Sequence, residues 1–298
     1  MEQTIHFYSE NKLDMKELYF SFGGVSITQP SHRFGPAIRS DYLIHIILEG
    51  EGSFIVGDRK TYLSANQGFL IRPGISSYYE ASESNPWKYL WLAFNGERAE
   101  EFLDKAGLMD ERQSFEVSNA TMFLNLIIDC LGNQSRRMSD ELMVNGLAYQ
   151  FVSLITKEVI PLSHSKIEKM HPRVPEVLNF LSKNFKEPIS IQEVAERLLI
   201  DRSYLSRIFK DSMGISIKEF LNRLRISYAG DLVSTTDKSI EEIGYECGFK
   251  SHDVFIRSFK KIYGIPPTTS RKINRMARDQ FEGKEDFDKL LSERPFTE

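Results

Sequence analysis

With only two cysteines in 298 residues, the chain has no disulfide framework. Cys130 and Cys247 also fit no metal-ligand spacing, so two separate reduced thiols are expected. There is no apolar run of about 18 residues, which excludes a membrane-spanning helix of ordinary length. The opening segment MEQTIHFYSENK has no basic stretch leading into an apolar one, so no secretory leader is expected and the chain is placed in the cytoplasm. Histidine is scarce, with six in all. Only His45 falls on an expected barrel strand; His32 precedes those strands and His6 lies in the leading segment. A metal-binding barrel needs several such ligands converging from neighbouring strands, and none is expected. No Ser-His-Asp or Cys-His arrangement is legible, and no glycine-rich phosphate loop precedes a helix. Catalytic residues, cofactor and enzymatic activity are therefore expected to be absent.

The charge that is present is unevenly spread. The net charge is −4, yet residues 166–275 carry 20 Lys and Arg against 14 Asp and Glu, while residues 1–165 carry 14 against 21. A basic segment between acidic ones assigns an anionic partner to the carboxy-terminal half.

The two halves also differ in period. From Tyr42 to Phe94 short strands alternate with turn residues: YLIHIILEG stops at Gly50, and Gly57-Asp58 marks a tight turn. In WKYLWLAFNG, Trp87, Tyr89, Trp91 and Ala93 share one face. Strands at roughly 8–12-residue spacing suggest a sandwich or small barrel. After Gly96 the spacing becomes helical near 97–107, 120–132 and 139–159. The polar stretch PLSHSKIEKMHP, 161–172, reads as a linker. Helices are expected from Arg173 to about Ile273, and the charged residues 276–298 form a tail.

Within the helical half one unit occurs twice. Ser190, Ile191, Val194, Ala195 and Leu198 match Ser239, Ile240, Ile243, Gly244 and Cys247 at a separation of 49. Beyond the turn, Leu205, Arg207, Phe209, Lys210, Gly214 and Ile215 match Phe255, Arg257, Phe259, Lys260, Gly264 and Ile265 at a separation of 50. The second turn is thus one residue longer. Each copy starts with Ser followed three residues later by Glu, a capping-box pattern. A small residue, Ala195 or Gly244, lets the second helix cross close over the first, and Gly248 suits a left-handed turn. That is the outline of a helix-turn-helix, whose second helix can enter the major groove of DNA. Between the copies, Ile217, Phe220, Leu221, Leu224, Tyr228 and Leu232 line one face of a helix over about 216–233, roughly 27 Å long at ~1.5 Å per residue. It serves as core and as spacer at once.

These features resemble the AraC family of bacterial transcription regulators over the whole of 173–273. FLNRLRISYAGDLV is similar to that family's linker helix and IEEIGYECGFKSHDVFIRSFKKIYGIPPTTSR to its signature segment. FGPAIRSDYLIHIILEGEGSFIVGDRKTYLSANQGFLIRPG and PWKYLWLAFNG resemble the cupin-like effector domain of sugar-responsive members. The greatest similarity is to activators of multiple-sugar and raffinose operons in Gram-positive bacteria. By position in the motif, the resemblance implies base contacts from Ser203, Tyr204, Ser206 and Arg207 in one recognition helix and from His252, Asp253, Ile256 and Arg257 in the other. Arg207 and Arg257 can each pair with a guanine or clamp a phosphate. Lys210, Lys250, Lys260 and Lys261 read as phosphate contacts or as solvated charge. Phe209 and Phe259 read as core.

In the barrel, Tyr42, Tyr78, Tyr79, Trp87, Tyr89 and Trp91 form an aromatic set whose faces suit the C–H faces of sugars, with Arg39 and His45 available to orient hydroxyl groups. The expected effector site comprises Arg39, Tyr42, His45, Tyr78, Tyr89 and Trp91; in arabinose-responsive members the pocket positions fall on Tyr78, Tyr89 and Trp91. The expected fold is two-domain α+β. Residues 1–160 form a cupin-like β-barrel or jelly roll with trailing helices, and 173–275 an all-α double helix-turn-helix. The implied partners are an operator in double-stranded DNA, a sugar effector such as an α-galactoside oligosaccharide, RNA polymerase, and a second copy of the chain docked through 97–160. Two alternatives stay open: a sugar-modifying cupin enzyme fused to a DNA-targeting module, and a regulator without effector whose barrel only dimerises.

Overall fold

A computed structural model of the chain describes residues 3–8, 13–111, 113–131, 137–162 and 167–272. The tail expected over 276–298 lies outside the described residues. Nine strands come first: β1 Gln3–Tyr8, β2 Tyr19–Ile27, β3 Arg33–Ile38, β4 Tyr42–Glu49, β5 Glu51–Val56, β6 Arg59–Ser64, β7 Gln67–Ile71, β8 Ser76–Ala81 and β9 Lys88–Asn95. Then follow α1 Ala99–Lys105, β10 Ser114–Val117, α2 Ala120–Leu131, α3 Met138–Glu158, β11 Val159–Pro161 and β12 Ile167–Lys169. They form two sheets, ordered β1-β2-β9-β4-β7-β10-β11 and β12-β6-β5-β8-β3. Among the described residues the ladders of both sheets are antiparallel.

The period-two pattern of β9 divides its residues between two cores. Trp87, Tyr89, Trp91 and Ala93 meet Phe54, Leu63, Phe69 and Tyr79 between the sheets. Leu90, Leu92 and Phe94 face the other way, against Leu103 of α1, Phe123 and Ile127 of α2, and Phe151 and Ile155 of α3. The trailing helices therefore cover the outer face of the larger sheet. Asn145 of α3 fastens them to it: its Oδ1 accepts from the Phe20 N–H of β2 at 2.9 Å, and its Nδ2 donates to the Glu141 carbonyl at 2.8 Å.

Strands β1, β2 and β3 precede the region that reads as strands in the sequence, and the stretch expected as a linker carries strand pairing. β11 extends the larger sheet beside β10 and β12 extends the smaller beside β6. Elements of three or four residues have no period to read; pairing with an existing edge makes them strands.

Beyond this point the chain is helical: α4 Val174–Asn184, α5 Ile191–Arg197, α6 Arg202–Met213, α7 Ile217–Thr235, α8 Ile240–Glu246 and α9 His252–Tyr263. α7 has 19 residues, about 28 Å at ~1.5 Å per residue. It serves two cores. Phe220, Leu221 and Leu224 pack with α4, α5 and α6, and Ile226, Ala229 and Val233 pack with α8 and α9. None of the described helices is long and apolar enough to cross a membrane.

The first helix-turn-helix turn carries a strained residue. Leu199 sits at φ 54°, in the left-handed region, and is 92% exposed. Its counterpart Gly248 adopts φ 84° without a Cβ to object. A left-handed non-glycine residue costs roughly 1–2 kcal/mol, while glycine loses more entropy on folding, by roughly 0.5–1 kcal/mol. Leu199→Gly is therefore expected to stabilise the chain by about 0.5–1 kcal/mol. Urea or thermal denaturation checks this; a lowered melting temperature would show that the leucine is held by a contact worth more than its strain.

Candidate nucleic-acid interface and effector cavity

Each helix-turn-helix unit is built by the same local chemistry. Ser190 and Ser239 accept from the backbone N–H of Glu193 and Glu242, and each glutamate reaches back to its serine N–H, at 2.6 and 2.8 Å. These two boxes satisfy donors that a helix start leaves open. At the far ends, the Ile200 N–H bonds the Ala195 carbonyl and the Phe249 N–H bonds the Gly244 carbonyl, the same closure in both turns. A Cβ on Gly244 would lie 2.9 Å from Cδ1 of Phe255, so α9 crosses α8 at a distance that glycine sets. A Cβ on Gly248 would lie 2.5 Å from the Lys186 carbonyl oxygen, which seats the second turn against the end of α4.

The second unit is braced to the end of α4. Arg225 of α7 donates from Nε to the Phe185 carbonyl and from Nη2 to the Glu187 carbonyl, both at 2.6 Å, and its guanidinium lies 5.9 Å from the Phe249 ring centre. One side chain thus joins the end of α4, the linker helix and the second turn.

On α6, Ser203, Tyr204, Arg207 and Lys210 are exposed while Leu205, Ile208 and Phe209 are buried. Asp201 caps this helix by accepting from the Tyr204 N–H at 2.8 Å. The Arg207 guanidinium lies 5.4 Å from the Tyr204 ring centre, and the Tyr204 hydroxyl contacts Nε2 of His171 at 3.1 Å. Ser206 is half-buried and donates to the Arg202 carbonyl. On α9, His252, Asp253, Arg257 and Lys260 are exposed, as is Lys250 just before it. Ile256 is half-buried against the second core, and Phe255 and Phe259 are fully buried. Both second helices therefore present polar and cationic side chains outward from an aromatic anchor.

Between the sheets lies an aromatic interior with polar atoms in it. The His45 ring stacks on Phe69 at 4.5 Å, and Tyr79 and Tyr89 stand 5.1 and 5.2 Å from it. Trp91 follows Tyr89 at 5.6 Å. His45 is 2% exposed; burial first, and the Arg39 charge second, hold its pKa well below the usual value, so the imidazole is neutral. Its Nδ1, the Thr61 hydroxyl and the Trp87 indole nitrogen are buried and have no hydrogen-bond partner among the described residues. Among the buried side chains of this cluster Trp91 keeps the most exposure, 9%, and Phe22 and Phe34 are half-buried beside it. Among the described residues no three His, Cys, Asp or Glu side chains converge as a metal site needs.

Residues 20–152 match the family of AraC-like ligand binding domains, and residues 194–273 match a family of helix-turn-helix domains. The chain is an AraC-family DNA-binding regulator. Three relatives are similar along most of their length. The Msm operon regulatory protein of Streptococcus mutans is 28% identical over 271 residues, 90% of this chain and 97% of its own. The raffinose operon transcriptional regulatory protein RafR of Pediococcus pentosaceus is 27% identical over 256 residues, 84% and 92%. The lactose operon transcription activator of Staphylococcus xylosus is 24% identical over 250 residues, 83% and 90%.

In this AraC-family chain, three of the expected effector residues lie together: His45, Tyr89 and Trp91. Two do not. Tyr42 stacks on Phe94 at 6.1 Å on the helix-covered face, because Leu43, His45 and Ile47 point inward and their neighbours outward. Tyr78 points out of the smaller sheet and joins Val174, Val177 and other residues of the DNA-binding half, while its neighbour Tyr79 takes the inner place. Burial, and Glu80 after it, push the Tyr78 hydroxyl up to about 12. Arg39 leaves the interior and pairs with Asp231 of α7. Sequence reasoning missed Thr61 and Phe69 as inner residues and did not place Trp87 and Tyr79 in the site. Alternation with Leu63 is the signal that identifies Thr61.

Proposed function

We infer that this regulator controls genes of carbohydrate use, as an activator answering to a sugar held between the two sheets. The observation that carries the reading is the interior itself: stacked aromatic faces around three buried polar atoms, one of them on the neutral His45 imidazole, that have no protein partner among the described residues. Aromatic faces match the C–H faces of a sugar, and unpartnered buried donors and acceptors are costly until a ligand's hydroxyl groups meet them. The printed roles of the relatives, which include raffinose and lactose operons, support the same reading and favour an oligosaccharide such as an α-galactoside.

The remaining parts follow the family plan. Residues 1–160 act as effector and dimerisation domain and 173–275 as DNA-binding domain, joined through 161–172. The outward residues named on α6 and α9, with Lys210, Lys250 and Lys260, contact the operator. A second copy docks on the exposed apolar stripe of Met138, Leu142 and Tyr149 on α3 with Met122 on α2, and RNA polymerase is the further partner. The regulator works in the cytoplasm and carries out no reaction of its own.

The test is Trp91→Ala in the full chain, with raffinose and lactose as probes. A sugar at 100 times its dissociation constant stabilises a protein by about 2.7 kcal/mol, and that shift is expected in the parent and lost in the variant. DNA binding without sugar is expected to be unchanged. If Trp91→Ala unfolds the barrel, the ring is core alone. If the variant responds to sugar with parental affinity, the site lies elsewhere.

A further inference from the structure

Strand β3 belongs to both halves of the molecule. On its inner side Phe34 stacks on Tyr79 at 5.2 Å, and Tyr79 stands beside His45 and Tyr89. The register of β3 against β8 slips between Phe34 and Ala37, which brings Ile38 to the outer side, where it packs against the cluster of α4, α6 and α7. Ile55 and Tyr78 complete that contact from β5 and β8. One residue past the strand, the Arg39 guanidinium lies 5.0 Å from the Phe34 ring centre and donates to the Asp231 carboxylate of α7 at 2.5 Å. The partners are 192 residues apart in the chain, and their side chains keep only 18% and 30% exposure. A continuous line of contacts thus runs His45, Tyr79, Phe34, Arg39, Asp231.

β3 also has fewer ladder partners than the strands inside its sheet. It is an edge strand, paired through β8 on one side only, with α7 beside it. A ring entering the interior at Phe34 or Tyr79 has to displace one of two stacked faces, and the guanidinium 5.0 Å from the Phe34 ring centre is disturbed with that ring. A charge-assisted hydrogen bond is directional, so Asp231 either follows or lets go. α7 in turn forms part of both helix-turn-helix cores, which places either outcome at both recognition helices.

We propose that β3, fastened to α7 by the Arg39–Asp231 pair, transmits the state of the barrel interior to the DNA-binding half. This rests on reading the barrel as the effector domain, though not on which effector it takes. The transmission is a coupling free energy between two sites, and a double-mutant cycle measures it without any ligand.

The cycle uses the full chain and a DNA fragment selected by the parent protein from a random library. Phe34→Leu alters the cavity wall, and Asp231→Asn removes the charge with little change of shape. Phe34→Leu is expected to change the dissociation constant for this DNA by at least about fivefold in the parent and by less than about twofold in the Asp231→Asn background. Arg39→Lys, which keeps the charge, is expected to preserve most of the effect of Phe34→Leu. An equal effect of Phe34→Leu in both backgrounds overturns the proposal, as does no effect in the parent. Where Phe34→Leu is not folded at the assay temperature, Phe34→Met, closer in volume, takes its place. Since no sugar is used, failure here leaves the sugar reading standing, and failure of the Trp91 test leaves this result standing.

Discussion

Gly244→Leu is expected to lower the melting temperature of the chain and abolish sequence-specific DNA binding. A Cβ alone at this position would sit 2.9 Å from the Phe255 ring, which is fully buried between α8 and α9. The rest of a leucine side chain has nowhere to go without moving α9 off its core. Overpacking of this kind costs about 1–3 kcal/mol or more, and the displaced helix is the one that carries Arg257. Gly244→Ala should cost less, since Ala195 fills the matching place in the first unit. Thermal melting and binding to a selected DNA fragment check both variants; unchanged melting and binding in the leucine variant would show that the crossing is looser than its geometry.

Arg257→Ala is expected to weaken specific DNA binding by about 1–3 kcal/mol, or roughly 5- to 160-fold, with relaxed preference at one base-pair position. Arg257 is exposed on α9, and its Nε donates only to the Asp253 carbonyl of its own helix, at 3.3 Å. A bidentate contact to guanine is open to it. Lys260→Ala, one turn on, should weaken binding evenly across sequences and lower the salt dependence by about one counterion. Binding to selected and random fragments at two salt concentrations separates the pair. An equal loss for Arg257→Ala on both fragments would reassign it to a phosphate.

The helical half was legible because its determinants are local. Ser190 with Glu193, Ser239 with Glu242, and the small residues at Ala195 and Gly244 all act within one turn of a helix, and the duplication states each twice. The sheet faces were legible only where alternation is clean. In β9 aromatic residues hold one face and Leu90 and Leu92 the other, so the period separates them. In β8 two tyrosines stand side by side, and alternation alone does not say which enters the barrel; Tyr79 does, because its neighbours Phe54 and Phe34 bring it there. Tyr42 misled for a related reason, an aromatic one position out of step with His45. Arg39 follows no period at all. Its partner is fixed by how the two halves pack, which no window of sequence contains.

The Arg225 brace has a bearing on the operator. With α4, α7 and the second turn tied through one guanidinium, the distance and angle between the two reading helices are properties of the protein and not of the DNA. One base pair inserted between the two contacted segments advances the second by about 3.4 Å and turns it by about 34–36° around the duplex axis. The target is therefore a single word of fixed phase, in which spacing is as much a part of the code as the bases.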